Sequence, residues 1–163
     1  MYQFLERDQL QSVDIGRLYE HWDAQRQGRA FPSKGDIDPT AIVSCLPFMS
    51  IAEIHQEPLR IRYRLVGTEI VRLRGGDFTW KWMHELGWNQ ETIAEFLTQY
   101  DTMLRRRQPI FGVDDILWID GRPRLYEWAL LPLSEDGKSI SHCIVIEDLR
   151  ASGRPLRSGP AEF

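Results

Sequence analysis

The apolar positions change period repeatedly along the chain. Ile15, Leu18, Tyr19 and Trp22 recur at i, i+3, i+4 and i+7, so they share one face of a helix that Asp14 can cap and Gly28 ends. In FPSKGDIDPTAIVSCLPF, Asp38 can cap and Pro39 suits the first helical position. Ile42, Val43 and Leu46 then form an apolar stripe before Pro47, which predicts a second, short helix. Leu59, Ile61, Tyr63 and Leu65 alternate with Arg60, Arg62, Arg64 and Val66, the period of a strand; HQEP ahead of them supplies the turn of an antiparallel hairpin between Phe48 and Gly67. After Gly67-Thr68, EIVRLRGG has room for at most two helical turns before the glycines stop it. Asn89 caps the clearest helix, in which Ile93, Phe96, Leu97, Tyr100 and Leu104 keep the 3.6 period and Arg105, Arg106 and Arg107 complement the carbonyl end. PIFGVDDILWID, RPRLYEWALLPL and KSISHCIVIEDL read as three strands separated by DGR and SEDGK, where Asp-Gly is favoured hairpin chemistry.

This order predicts an α+β fold: a five-stranded antiparallel sheet with helices on one face and an added N-terminal helix. Trp118 and Trp128 lie in strands whose opposite-parity neighbours, Leu117, Ile119, Ala129 and Leu131, are also apolar, so both faces of the sheet should be buried. The long helix would cover one face. The helix carrying Leu18, Tyr19 and Trp22 would cover the other, from the same chain or from a second subunit, in which case those three residues form a homodimer interface. Residues 1–13 have no clear period and read as a lead. Residues 14–149 form one domain, and 150–163, rich in Gly, Pro and Ser, read as a mobile tail.

The length of 163 residues suits one domain, and 42% hydrophobic with 27% charged residues is a globular balance. A formal net charge of −4 offers no general attraction to phosphate backbones or anionic lipid, so neither nucleic acid nor membrane is expected as a partner. The first residues lack a basic flank and an apolar signal region, and no apolar run approaches a bilayer span; the expected location is the cytoplasm. Cys45 and Cys143 sit among apolar residues and read as buried, reduced thiols.

Candidate chemistry is sparse. His21, His55, His84 and His142, with the two cysteines, lack the close pair spacings of a zinc site, and no metal is expected. Asp114, Asp115, His84 and Glu85, with Tyr63 or Tyr126, are the acid–base candidates. Adjacent Asp114 and Asp115 on a strand point to opposite faces, however, and cannot act as a facing pair. There is no nucleophile elbow, phosphate loop or metalloprotease signature, so catalysis is not expected. Arg60, Arg62 and Arg64 form either a surface for an acidic partner or, the preferred reading, a solvated sheet face paired with Glu53 and Glu57. RLRGG and LRRRQ read as helix-capping clusters.

YRLVGTEI, GGDFT and HEL, followed by the long helix and QPI, look like a PAS domain. The chain further resembles a group of small bacterial PAS proteins of mostly uncharacterised function. The resemblance is carried by Leu18 to Trp22, Pro32 with Asp36-Ile37-Asp38-Pro39, Arg62 to Thr68, and Gly76-Asp77-Phe78-Thr79, within about residues 14 to 148. Trp80 departs from it, standing where that pattern usually has glycine. The resemblance implies a sensor or protein-interaction module with a cavity between the sheet and the long helix. Tyr63, Leu65, Phe96 and Tyr100 are expected along that cavity, the two tyrosines orienting a ligand. Flavin-reactive members carry a cysteine in an Asn-Cys-Arg-like motif before the long helix, where this chain reads MHELGWNQET. Haem-binding members carry a histidine on the long helix, which has none here. Neither cofactor is expected.

The expected function is therefore a stand-alone sensory or regulatory module that binds a small molecule, a protein partner such as a signalling protein, or both. With no output domain recognisable in the chain, its signal would leave through protein contact. The alternatives are a small isomerase or hydrolase with a tuned group such as Asp114 or His84, and a structural adaptor whose core is filled by side chains.

Overall fold

A computed structural model describes residues 2–117 and 122–150. Trp118, and the expected tail from residue 151, lie outside the described residues. The elements are β1 (Gln3–Leu5), α1 (Val13–Arg26), β2 (Met49–His55), β3 (Arg60–Val66), α2 (Thr68–Arg74), α3 (Gln90–Arg106), β4 (Ile110–Leu117), β5 (Pro123–Leu133) and β6 (His142–Asp148), with short 3₁₀ turns between them. All strand pairs are antiparallel, in the order β1-β4-β5-β6-β2-β3.

The sheet thus has six strands where five were expected. The extra one comes from the segment read as a lead: Gln3, Phe4 and Leu5 pair with Val113, Gly112 and Phe111. Gly112 permits this close approach, because a Cβ there would lie 2.2 Å from the Trp128 ring and 2.7 Å from the Gln3 carbonyl. Phe4 and Tyr2 in turn meet the Trp128 ring edge-on, at centroid distances of 5.8 and 6.5 Å.

β5 lies in the middle of the sheet and is buried on both faces. Tyr126, Trp128 and Leu130 point toward α3, while Glu127, Ala129 and Leu131 point toward α1. The chain's own α1 covers that second face. Ile15 and Leu18 are completely buried, Trp22 donates its indole N–H to the Pro132 carbonyl at 2.8 Å, and Tyr19 meets Phe111 edge-on at 5.8 Å. Each of these large apolar side chains contributes about 1.5–3 kcal/mol by burial, so the apolar stripe is satisfied without a second subunit.

Local differences from the expected elements have identifiable causes. The N-cap of α1 is Ser12, whose Oγ accepts the Ile15 N–H at 3.1 Å; Asp14 lies inside the first turn. The segment after Asp38 forms two 3₁₀ turns, Pro39–Ala41 and Leu46–Phe48, because Ile42 leaves helical geometry at φ −130°. A bulge between Ile51 and Ala52 pairs Ile51 with Leu65 but Ala52 with Tyr63, and so breaks the alternation of β3 at Arg64. α2 ends at Gly75 in the left-handed region, and α3 begins at Asn89, whose side chain accepts the Thr92 N–H at 2.7 Å. Among the described residues no helix is long and apolar enough to cross a membrane.

Candidate functional site

Period-2 placement on the strands and i, i+3, i+4 placement on the helices converge on one small space. β5 contributes Tyr126, Trp128 and Leu130, and β6 contributes Val145 and Glu147, with Trp128 opposite Glu147. α3 presents Phe96, Gln99 and Tyr100 from one face, and α2 presents Ile70 and Arg74. Phe78 and Trp88, from the connection between the two helices, complete an edge-on aromatic wall. Its centroid distances are 4.7 Å for Tyr63–Phe78, 5.5 Å for Phe78–Trp88 and 5.6 Å for Trp88–Phe96. The cavity left between these side chains is ≈ 30 Å³, room for about one water.

Its lining is more polar than the aromatic wall suggests. Arg74 forms an ion pair with Glu147, their side chains only 12% and 11% exposed, and Tyr126 lies close by. Burial alone would lower the Arg74 pKa, but Glu147 and Tyr126 outweigh it and hold the guanidinium charged. Burial pushes the Tyr63, Tyr100 and Tyr126 hydroxyls above their ordinary pKa, so they remain neutral. Gln99 Nε2 and Trp128 Nε1 are buried without a hydrogen-bond partner among the described residues.

Of the residues expected along the cavity, Tyr63, Phe96 and Tyr100 line it and Leu65 does not. Leu65 is 46% exposed, because the bulge turns β3 over after Tyr63. Leu18 and Trp22 are buried under the sheet of their own chain, and Tyr19 is half-buried there with Arg7 over its ring at 4.3 Å. Sequence reasoning missed Arg74, Gln99, Tyr126, Trp128 and Glu147 as cavity residues. A usable signal was present in IVIEDL, where a carboxylate at Glu147 follows three apolar residues of a strand.

Of the acid–base candidates, Tyr63 and Tyr126 line the cavity and the other four do not. His84, Glu85 and Asp115 are exposed, and none of the four histidines lines the cavity. Asp114 is buried, which raises its pKa, but it lies on β4 in an outer groove of ≈ 340 Å³. That groove and the cavity share Arg74, Phe96 and Tyr126 as a common wall. Cys45 and Cys143 are buried free thiols; burial pushes Cys45 up to about 11 and Cys143 higher still. Among the described residues no three His, Cys, Asp or Glu side chains group as a metal site requires.

The arginine face of β3 has the expected pairing with Glu53 but not with Glu57, and it is covered by tryptophans as well. Residues 80–82 run beside β3, with the Trp80 N–H donated to the Tyr63 carbonyl at 2.6 Å and the Tyr63 N–H to the Lys81 carbonyl at 3.1 Å. Arg64 lies over the Trp80 ring at 4.2 Å and Arg60 over Trp82 at 4.7 Å, while Arg62 reaches both. Arg64 also pairs with Glu53 at 2.9 Å; Glu57 lies exposed in the hairpin turn. Trp80 adopts φ 69°, the left-handed conformation that glycine reaches without strain.

A family model described as PAS domain matches residues 11–144, a range that includes α1 and every element of the cavity lining except the end of β6. No curated protein matches the sequence. One solved structure, described as an RNA-binding light-oxygen-voltage receptor, is similar at 13% identity and a TM-score of 0.47. The similarity covers 74% of this chain and 36% of that one, so this chain corresponds to about a third of the receptor's length. With the family match spanning most of the sequence, the chain belongs to the PAS domain family.

Proposed function

We propose that this chain is a sensory or regulatory PAS module in which a compact small molecule, held between the sheet and α3, biases a conformation that a protein partner reads. The observation that carries this reading is the desolvated Arg74–Glu147 pair in the cavity wall. A structural adaptor needs no such pair, since well-packed apolar residues in the same volume stabilise a core at least as well. An enzyme would need a lining group tuned toward neutral pH, whereas Tyr63, Tyr100, Tyr126 and Arg74 are all pushed upward, away from it. What supports leaving out flavin and haem is the side chains: MHELGWNQET carries no cysteine and α3 carries no histidine.

Native mass spectrometry and an absorption spectrum of the freshly purified chain test this function. The expected result is a small retained mass with no visible absorption band. A flavin or Soret band would overturn the compact-ligand reading, and a chain that retains nothing and responds to no small molecule would favour the adaptor.

A further inference from the structure

The proposed sensory function leaves the chemistry of the ligand open, and the following inference rests on that function and deepens it. In the cavity wall Arg74 and Glu147 satisfy one another. Gln99 Nε2 and Trp128 Nε1 do not. The two residues are only 4% and 3% exposed, and they face the same small space from opposite layers, α3 and β5.

Both atoms are donors; an indole nitrogen offers only its N–H, and an amide nitrogen has no lone pair to give. A buried N–H without a partner is costly, and two of them on one cavity call for an acceptor between the layers. The charge of that acceptor follows from the ion pair. Glu147 already neutralises Arg74, so an anion would bring an uncompensated charge into a desolvated site beside a carboxylate. A cation would face two N–H groups and a guanidinium. A neutral molecule with a strong acceptor oxygen meets neither obstacle, and the ring edges of Phe78, Trp88 and Phe96 suit an apolar remainder. The cavity holds about one water as it stands, so anything larger gains room by displacing the wall shared with the outer groove.

We infer that the cavity binds a compact neutral carbonyl compound, an amide or a ketone, whose oxygen accepts hydrogen bonds from Gln99 Nε2 and Trp128 Nε1.

Acetamide and acetate, nearly identical in shape and different in charge, are suitable probes, titrated into the full chain labelled with ¹⁵N. The expected result is a saturable shift of the Trp128 indole and Gln99 side-chain amide signals with acetamide in the millimolar range, as its few atoms permit. Acetate should bind at least tenfold more weakly. Gln99→Leu, which keeps the volume and removes the donor, should weaken acetamide at least fivefold while the chain remains folded by thermal melting. Three results overturn the inference: no saturable shift with acetamide, acetate binding as tightly as acetamide, or a buried water at both N–H groups that acetamide does not displace. If acetamide fails while native mass spectrometry finds a different retained mass, the carbonyl class falls and sensing stands. If nothing is retained and no probe acts, both fall.

Discussion

Glu147 and Asp148 are neighbours on β6 and hold opposite faces of the sheet. Glu147 pairs with Arg74 at the cavity, while Asp148 accepts from Ser12 Oγ at 2.6 Å and from Arg150 Nε at 2.9 Å beside the start of α1. Arg150 reaches on to Asp14 in the first turn of α1, and Glu127 accepts the Gln11 and Ser12 N–H groups at 2.8–3.0 Å. A displacement of β6 at the cavity would therefore be felt at the N-terminus of the opposite helix.

The Arg74–Glu147 pair should behave asymmetrically on mutation. Arg74→Met leaves a carboxylate buried and unpaired, and should cost about 3–5 kcal/mol. Joint replacement by Arg74→Met and Glu147→Leu should recover most of that loss, as chemical denaturation would measure. A double variant no more stable than the single one would mean that the pair is not a desolvated unit.

Ser12→Ala removes the cap of α1 and the Asp148 bond together, at a cost of about 1–2 kcal/mol. Hydrogen exchange should quicken first at Ile15 and Gly16. Glu147→Gln should quicken the same amides from the other side of the sheet if the two faces are coupled; unchanged exchange there would refute the coupling.

Acid should weaken the fold through two aspartates. Ser33 and Arg29 hold Asp36 at about 2, and the Ser139 and Lys138 N–H groups hold Asp136 at about 2, both below the ordinary 3.8. A carboxylate with a depressed folded-state pKa stabilises fully above its unfolded value, and that contribution is lost as pH falls from about 4 toward 2. The melting temperature should drop across that window, and less steeply in Asp36→Asn and Asp136→Asn. An identical acid slope in both variants would contradict the assignment.

Trp80 offers a test of backbone conformation. Its left-handed geometry costs about 1–2 kcal/mol for a residue with a Cβ. The exposed contacts with Arg62 and Arg64 return about 0.5–1 kcal/mol each, so the native residue is close to balance. Trp80→Ala loses the contacts and keeps the strain, whereas Trp80→Gly loses both. Glycine should then be the more stable replacement by up to about 1 kcal/mol, once its greater unfolded-chain entropy is allowed for. Alanine proving clearly better would show that residue 80 is not held at positive φ.

These residues also show what was legible in the chain. α3 could be read because its period and its Asn89 cap agree, and residues 68–74 because the glycines bound them. Placement of Tyr63, Phe96 and Tyr100 followed from parity and the PAS resemblance. Leu65 failed because a bulge, which alternation cannot reveal, lies between it and Tyr63. Ser12 and Asp14 are equally good caps by residue type; the choice is made by Asp148, far along the chain. Arg74 and Glu147 are 73 positions apart, and only the folded register brings them together. β1, three residues long, is too short to show any period.

A high-resolution crystal structure of the freshly purified chain soaked in acetamide would show whether the space between Gln99 and Trp128 is a ligand site. Density larger than a water is expected there, with an oxygen about 3 Å from both nitrogens. Side chains closed over the space, or a large planar cofactor within it, would show that no compact carbonyl compound binds there.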